Sequence, residues 1–122
     1  MIHINFNYFS DILQRKTSAT VMLPDAPNIN KALPVMYLLH GYCGDNTDWL
    51  YSGNIEQFAT EYNIAVVMPA GNNSFYADMR HGANYLKHIG EELPQIISKV
   101  FPVSINREDT FIAGLSMGGY GA

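Results

Sequence analysis

The sequence has 122 residues, of which 48% are apolar and 15% charged, with a net charge of −4. That balance fits one globular domain or part of one and excludes an intrinsically disordered chain. The seven Lys and Arg are scattered, so no basic patch points to nucleic acid or to an anionic membrane surface.

The chain opens with Ile2, Ile4, Phe6 and Tyr8 alternating with His3, Asn5 and Asn7. That period of two predicts a strand with one buried face. The N-terminus shows neither the basic nor the continuous apolar region of a signal peptide, and no apolar run reaches the ~20 residues of a membrane span. Cys43 is the only cysteine, which agrees with a reducing compartment. The expectation is a cytoplasmic protein with no membrane partner. A second strand is predicted over Thr17 to Leu23, ending at Pro24-Asp25. The short polar connection Ser10 to Lys16 makes the two an antiparallel pair. Asp25 to Leu33, with Pro27, Asn28 and Asn30, reads as a loop.

Pro34 introduces Val35-Met36-Tyr37-Leu38-Leu39, an apolar run without alternation. This is the pattern of a strand covered on both faces in a parallel sheet. A loop with two glycines follows, His40 to Asn46. Asn54 to Asn63 is predicted as a helix. Asn54 and Gln57 are placed for a capping box. Ile55, Phe58, Ala59 and Tyr62 form one apolar stripe. Asn63 can take the left-handed conformation that ends a helix. Ile64 to Met68 is a second buried strand, closed by Pro69, which completes a βαβ unit. Gly71 to Ser74 is a turn-rich loop. Asn84 to Phe101 is again helical, with Ile89, Leu93, Ile96, Ile97, Val100 and Phe101 on one face, and Pro94 marks a kink or restart.

Thr110-Phe111-Ile112-Ala113 is a β-prone run that leads into Gly114-Leu115-Ser116-Met117-Gly118. This is G-x-S-x-G, the nucleophile-elbow pattern, in which a serine sits on a sharp strand-to-helix turn with its hydroxyl above the sheet. Gly118, Gly119, Gly121 and Ala122 are small enough for the following helix to lie close to its neighbours. The competing reading is a glycine-rich loop with an incidental serine. A serine nucleophile needs amide donors aimed at the oxyanion that forms on the substrate carbonyl. In this motif one donor is the N–H after the nucleophile, here Met117. The other comes from the loop after the third strand, here the N–H of Tyr42, with Gly41 letting the backbone turn close to the substrate. The element order gives an α/β fold whose reactive residues lie beyond the carboxyl ends of parallel strands.

Leu38-Leu39-His40-Gly41, Trp49, Pro69, Ser74-Phe75-Tyr76, Glu92-Leu93-Pro94 and the run from Phe111 to Ala122 together resemble the esterase D-like branch of the α/β-hydrolases. The likeness is greatest to bacterial tributyrin esterases of the short-chain carboxylesterase type, and it covers nearly the whole chain. It implies hydrolysis of short acyl esters, a small-molecule substrate, no cofactor and no metal. It assigns Ser116 as nucleophile, the Tyr42 and Met117 amides as oxyanion hole, and Gly41, Gly114 and Gly118 as the glycines of the loop and elbow. It also implies a catalytic Asp and then a His after the elbow. Neither follows Ser116 in this sequence.

The expectation is therefore a partial domain over residues 1–122, the N-terminal half of an α/β-hydrolase. Such a chain lacks acid and base, has little activity alone, and either takes the missing C-terminal half as partner or associates with itself through an exposed sheet edge. No histidine present takes the base's place. His40 braces its turn, His81 and His88 are surface or boundary residues, and His3 lies on the polar face of an edge strand. Asp78 is a solvated loop carboxylate, and Cys43 has no general-base partner. Alternatives are an S-formylglutathione hydrolase, against which Tyr42-Cys43-Gly44 stands in place of Leu-Thr-Cys, a related acyltransferase, or a non-catalytic fragment. A nucleotide-binding module fits poorly, because Gly114-x-Ser116 breaks the G-x-G-x-x-G spacing.

Overall fold

The computed structural model describes residues 1–25 and 31–122. Pro27, Asn28 and Asn30 of the expected loop lie outside the described residues. At the loop's far end Leu33 is buried and forms a parallel bridge with Val103.

Five strands make one mixed sheet in the order β1-β2-β4-β3-β5. β1 (Ile2–Ser10) and β2 (Arg15–Leu23) form the expected antiparallel hairpin, in register from Ile2↔Leu23 to Ser10↔Arg15. Both strands run longer than the sequence pattern indicated, because only Asp11 to Gln14 is needed for the turn. Gln14 takes a left-handed backbone there (φ 53°). β3 (Val35–Leu39) and β4 (Ala65–Pro69) pair in parallel around the intervening helices, which is the predicted βαβ unit. β5 (Thr110–Gly114) pairs in parallel with the other side of β3, from Val35↔Thr110 to Leu39↔Gly114.

The two unalternated runs are buried on both faces for the reason the sequence suggested. Successive side chains of a strand point to opposite sides. Val35, Tyr37, Leu39, Ala65 and Val67 join one core with Ile89, Leu93 and Ile97. Leu38, Val66 and Met68 join the other with Ala59, flanked by Trp49 and Ile55.

The helices need more correction. α1 (Asp48–Tyr51) is a single turn that the sequence did not signal, and Trp49 Nε1–H anchors it by donating to the Leu39 carbonyl (3.1 Å). α2 (Ile55–Glu61) has Asn54 as its N-cap, but no side-chain cap bond forms, so there is no capping box with Gln57. Asn63 does end the segment with a left-handed φ of 50°. Of the predicted stripe only Ala59 is fully buried. Phe58 and Tyr62 are exposed, because no element among the described residues lies over them. They line an apolar groove that reaches Phe111 at the sheet edge.

The long predicted helix is three pieces: α3 (Tyr85–Lys87), a π-helical turn over His88–Glu92, and α4 (Leu93–Val100). Pro94 sits in the first turn of α4, where its missing N–H is least costly. The π turn just before it absorbs the misfit. Ile89, Leu93 and Ile97 are buried as expected, but Val100 is exposed in the last turn. α5 (Met117–Gly121) follows β5. β5 is an edge of the sheet, with Phe111 and Ile112 about half exposed. No helix among the described residues is long and apolar enough to cross a membrane.

Candidate active site

β5 ends at Gly114 and α5 begins at Met117, leaving Leu115 and Ser116 to make the turn. Ser116 takes φ 58° and ψ −119°, a strained region for a residue with a side chain, costing of order 1–3 kcal/mol. Two glycines make the turn possible. A Cβ on Gly114 would collide with the Gly118 backbone. A Cβ on Gly118 would collide with the Leu39 carbonyl and lie 2.8 Å from the His40 carbonyl oxygen. α5 can therefore start directly against the end of β3. Further along, Gly121 lies against the ring of Tyr76, within 2.8 Å of where its own Cβ would stand. Ser116 itself is solvent-exposed.

The same packing brings the loop after β3 to the serine. A Cβ placed on Gly41 would stand 3.8 Å from Ser116 Cβ and 3.5 Å from the Leu115 carbonyl oxygen. Those are ordinary contact distances. The two loops do meet, but the expected need for glycine at position 41 is not a matter of space. The Met117 amide directly follows Ser116 in the chain and the Tyr42 amide directly follows Gly41, and neither donates to another protein group among the described residues.

His40 is buried and holds this loop through both ring nitrogens. Nδ1 lies 2.7 Å from the Gly41 carbonyl, and Nε2 lies 2.8 Å from the Gly71 amide. A carbonyl only accepts and an amide only donates, so the proton is on Nδ1. The Gly41 carbonyl also accepts from the Gly44 amide (3.2 Å). Across a trans peptide the carbonyl and the next N–H point in opposite directions. Fixing the Gly41 carbonyl thus fixes the Tyr42 N–H. The expectation that His40 braces its turn agrees with this geometry.

The loop after β4 closes the structure beneath the site. Ser74 Oγ–H donates to the Gly71 carbonyl (2.6 Å) and accepts from the Tyr76 amide (2.9 Å). The Tyr76 hydroxyl donates to the His40 carbonyl (2.9 Å), and burial pushes that phenol well above its ordinary value. Cys43 is exposed, and its amide donates to Asn73 Oδ1 (2.7 Å). Asp78 is exposed as expected but has a structural task, since Oδ1 accepts the Lys87 amide at the start of the long helix (3.1 Å).

His88 is not a surface or boundary residue. It is fully buried, and it sits in a polar cluster that ties the β1–β2 turn to the helix. Its Nδ1–H donates to Glu92 Oε2 (2.6 Å), and its Nε2 accepts from the Tyr8 hydroxyl (3.0 Å). Glu92 also accepts from Ser10 Oγ (2.5 Å), the Asp11 amide (2.7 Å) and the Ile12 amide (3.2 Å). Burial alone would raise the Glu92 carboxyl, but these hydrogen bonds outweigh it and hold the group below its usual value. Burial first, and the Glu92 charge second, push the Tyr8 hydroxyl well above its ordinary value. The i,i+4 spacing of His88 and Glu92 was the one local signal of this cluster. The β1–β2 partners were beyond a local pattern.

Both nitrogens of His40 and of His88 are thus engaged away from Ser116. His3 lies 3.3 Å from Glu56 on the far side of the hairpin, and His81 is exposed. No group of three or more His, Cys, Asp or Glu able to hold a metal occurs among the described residues. Among the described residues, the two buried histidines leave the Ser116 hydroxyl without a general base.

The Esterase family model matches residues 10–122. An acetyl esterase of Caldicellulosiruptor saccharolyticus is 40% identical over all of this chain and 49% of its own length. The fluorophosphonate-binding serine hydrolase FphF of Staphylococcus aureus superposes with a TM-score of 0.91 at 37% identity, over 98% of this chain and 49% of its own. The S-formylglutathione hydrolase FrmB of the same organism gives 0.87 at 37% identity, over 98% and 49%. The chain spans about half the length of the relatives it matches. With a sheet that leads into the turn at Ser116, the chain belongs to the Esterase family and has the fold of the N-terminal half of an α/β-hydrolase.

Proposed function

We propose that this chain supplies the nucleophile and the oxyanion-binding amides of a serine hydrolase acting on short-chain acyl esters. The observation that carries the reading is the strained backbone of Ser116 (φ 58°, ψ −119°) beside the Gly41 loop. In the proposed step Ser116 Oγ attacks the ester carbonyl carbon while its proton passes to a general base. The carbonyl oxygen becomes an oxyanion held by the Tyr42 and Met117 amides. Collapse expels the alcohol and leaves an acyl-serine, which water then hydrolyses.

The base and its orienting acid are expected from residues beyond the elbow, where the motif's chain order puts them. Without them only a residual ~10³–10⁴-fold advantage over water remains from the oxyanion hole and binding. The 122-residue chain is expected to turn over short-chain esters very weakly. The same chain completed to its relatives' length is expected to be an active, cytoplasmic esterase. The assay is release of acid from tributyrin and from acetyl esters by both forms and by Ser116→Ala. Full activity in Ser116→Ala, in either form, would reject Ser116 as nucleophile.

The likeness to an acetyl esterase favours small acyl groups. A thioester substrate is the second reading, supported by the comparable likeness to an S-formylglutathione hydrolase. A ratio of thioester to oxygen-ester turnover above one would favour it. As partner, we propose either a polypeptide corresponding to the other half of the domain, seated along β5, or a second copy of this chain at the same edge.

A further inference from the structure

The turn that carries the Tyr42 amide has an uncommon form. The Gly41 carbonyl accepts from the Gly44 amide (3.2 Å), which makes Tyr42 and Cys43 the central residues of a four-residue turn. Cys43 has φ 64°, whereas Tyr42 stays outside the positive-φ region. A type I turn takes a negative φ at its third residue, and a type II turn takes a positive one, which favours glycine or asparagine there. This turn is therefore of the type II kind with a cysteine in the place suited to glycine. Crowding by the Cβ disfavours that form. Local preference alone would give type I, in which the Tyr42–Cys43 peptide plane is turned over.

One contact from outside the loop opposes that reversal. The Cys43 N–H donates to Asn73 Oδ1 at 2.7 Å. Turning the plane over would point this N–H away from Asn73. The bond between Gly41 and Gly44 does not choose, because both forms of the turn contain it. Among the described residues no other hydrogen bond reaches the Tyr42 carbonyl or the Cys43 amide.

Asn73 is itself held in place. It lies in the loop after β4, where Asn72, Phe75 and Tyr76 all take left-handed conformations, φ 48°, 52° and 53°. Residues with side chains rarely adopt that region and persist in it where the surroundings impose it. Asn72 Nδ2–H donates to the Tyr85 hydroxyl (2.6 Å). The bonds of Ser74, Tyr76 and His40 described above fasten the rest of the loop. A strained loop after β4 thus holds a strained turn after β3 through one bond.

We propose that Asn73 is a positioning residue for the Tyr42 amide, because its side-chain carbonyl selects the form of the turn that carries that amide. Through the amide, this role rests on the reading of Ser116 as nucleophile. A neutral hydrogen bond shifts an equilibrium between two forms by about 2- to 12-fold.

The test compares Asn73→Leu, which keeps bulk without an acceptor, with Asn73→Asp, which keeps an acceptor oxygen. Asn73 is exposed, so neither change disturbs the core. In the isotopically labelled 122-residue chain, nuclear Overhauser effects read the turn. The type II form brings the Tyr42 Hα close to the Cys43 amide proton, and the type I form brings the two amide protons together instead. Asn73→Leu is expected to exchange the first contact for the second, and Asn73→Asp to retain the first. In the chain completed to its relatives' length, kcat for tributyrin is expected to fall about 2- to 12-fold in Asn73→Leu, with KM within twofold of the parent. An unchanged turn in Asn73→Leu, or a reversed turn in Asn73→Asp as well, would overturn the proposal. So would a reversed turn with unchanged kcat. Full turnover in Ser116→Ala would sink the esterase reading instead, and the turn readout, which needs no turnover, would still decide what Asn73 does.

Discussion

Replacing Glu92 by Ala removes the acceptor at the centre of the buried cluster that joins the β1–β2 turn to the long helix. Four donors converge on that carboxylate: Ser10 Oγ at 2.5 Å, His88 Nδ1 at 2.6 Å, and the Asp11 and Ile12 amides at 2.7 and 3.2 Å. The Asp11 amide is solvent-accessible and water can replace its partner. His88 and Ser10 are fully buried and have no such recourse. A hydrogen bond to a charged group contributes about 1.5–3 kcal/mol, and an orphaned buried donor costs about 1–3 kcal/mol. Ser10 Oγ also accepts the Leu13 amide (2.9 Å), so its reorientation disturbs the turn as well. A net loss of about 2–4 kcal/mol follows, which at roughly 3–6 °C per kcal/mol for a domain of this size lowers Tm by about 6–24 °C. Glu92→Gln keeps an acceptor oxygen for the two amides but loses the charge, and should fall between Ala and the parent.

The pH dependence has a definite sign. The folded-state carboxyl of Glu92 lies below its ordinary value, so the unfolded chain binds its proton more readily. The stabilisation is complete above the unfolded pKa, about 4.3, and is lost as pH falls through the folded value. Urea unfolding of the parent and Glu92→Gln at pH 7 and at successive pH values below 4.3 is the measurement. The gap between the two should narrow steadily on acidification. A gap that is independent of pH, or that widens in acid, would refute the charge-based account. An unchanged Tm in Glu92→Ala would refute the cluster's role altogether.

Gly118→Ala pushes a Cβ into the Leu39 and His40 carbonyls. It is expected to destabilise by at least the 1–3 kcal/mol typical of overpacking and to open the elbow, measured as a lower urea midpoint and loss of ester turnover in the completed chain. His40→Leu keeps volume but orphans the Gly71 amide and releases one of the two bonds on the Gly41 carbonyl. Stability should drop by about 1–3 kcal/mol. In the completed chain kcat should fall, up to the ~10²–10³ of a lost oxyanion donor. A kcat within twofold of the parent would mean that His40 does not aim the Tyr42 amide.

The parts that could be read in the sequence are those set by local chemistry. Val35–Leu39 and Ile64–Met68 announce themselves as buried strands because both faces must be apolar. The elbow announces itself because only glycine fits at positions 114 and 118. The Asn54–Gln57 pairing was a local pattern too, yet the cap bond does not form, which shows that spacing permits a cap without compelling it. His88 was misjudged because hydrophobic periodicity is blind to a buried polar face. Its Tyr8 partner lies 80 residues away in the chain. The left-handed Phe75-Tyr76 pair escaped notice for the opposite reason, since local preference argues against it and only the surrounding bonds impose it. Phe58 and Tyr62 followed the helical period correctly, but a period says which residues share a side and not whether anything covers that side.

Among the described residues, β5 is zipped to β3 along one flank only. Backbone amides on its other flank face outward, and edge elements of this kind open locally at lower free energy than a central strand. Each such opening lets Ser116 leave its strained torsion, and each reclosure must reimpose it. Ser116, the proposed nucleophile, is thus loaded like a spring by a fastening at one margin. A strand laid along the free edge would hold that spring compressed for longer, so lateral assembly of the sheet and readiness of the proposed nucleophile become one equilibrium, joined through five residues of backbone.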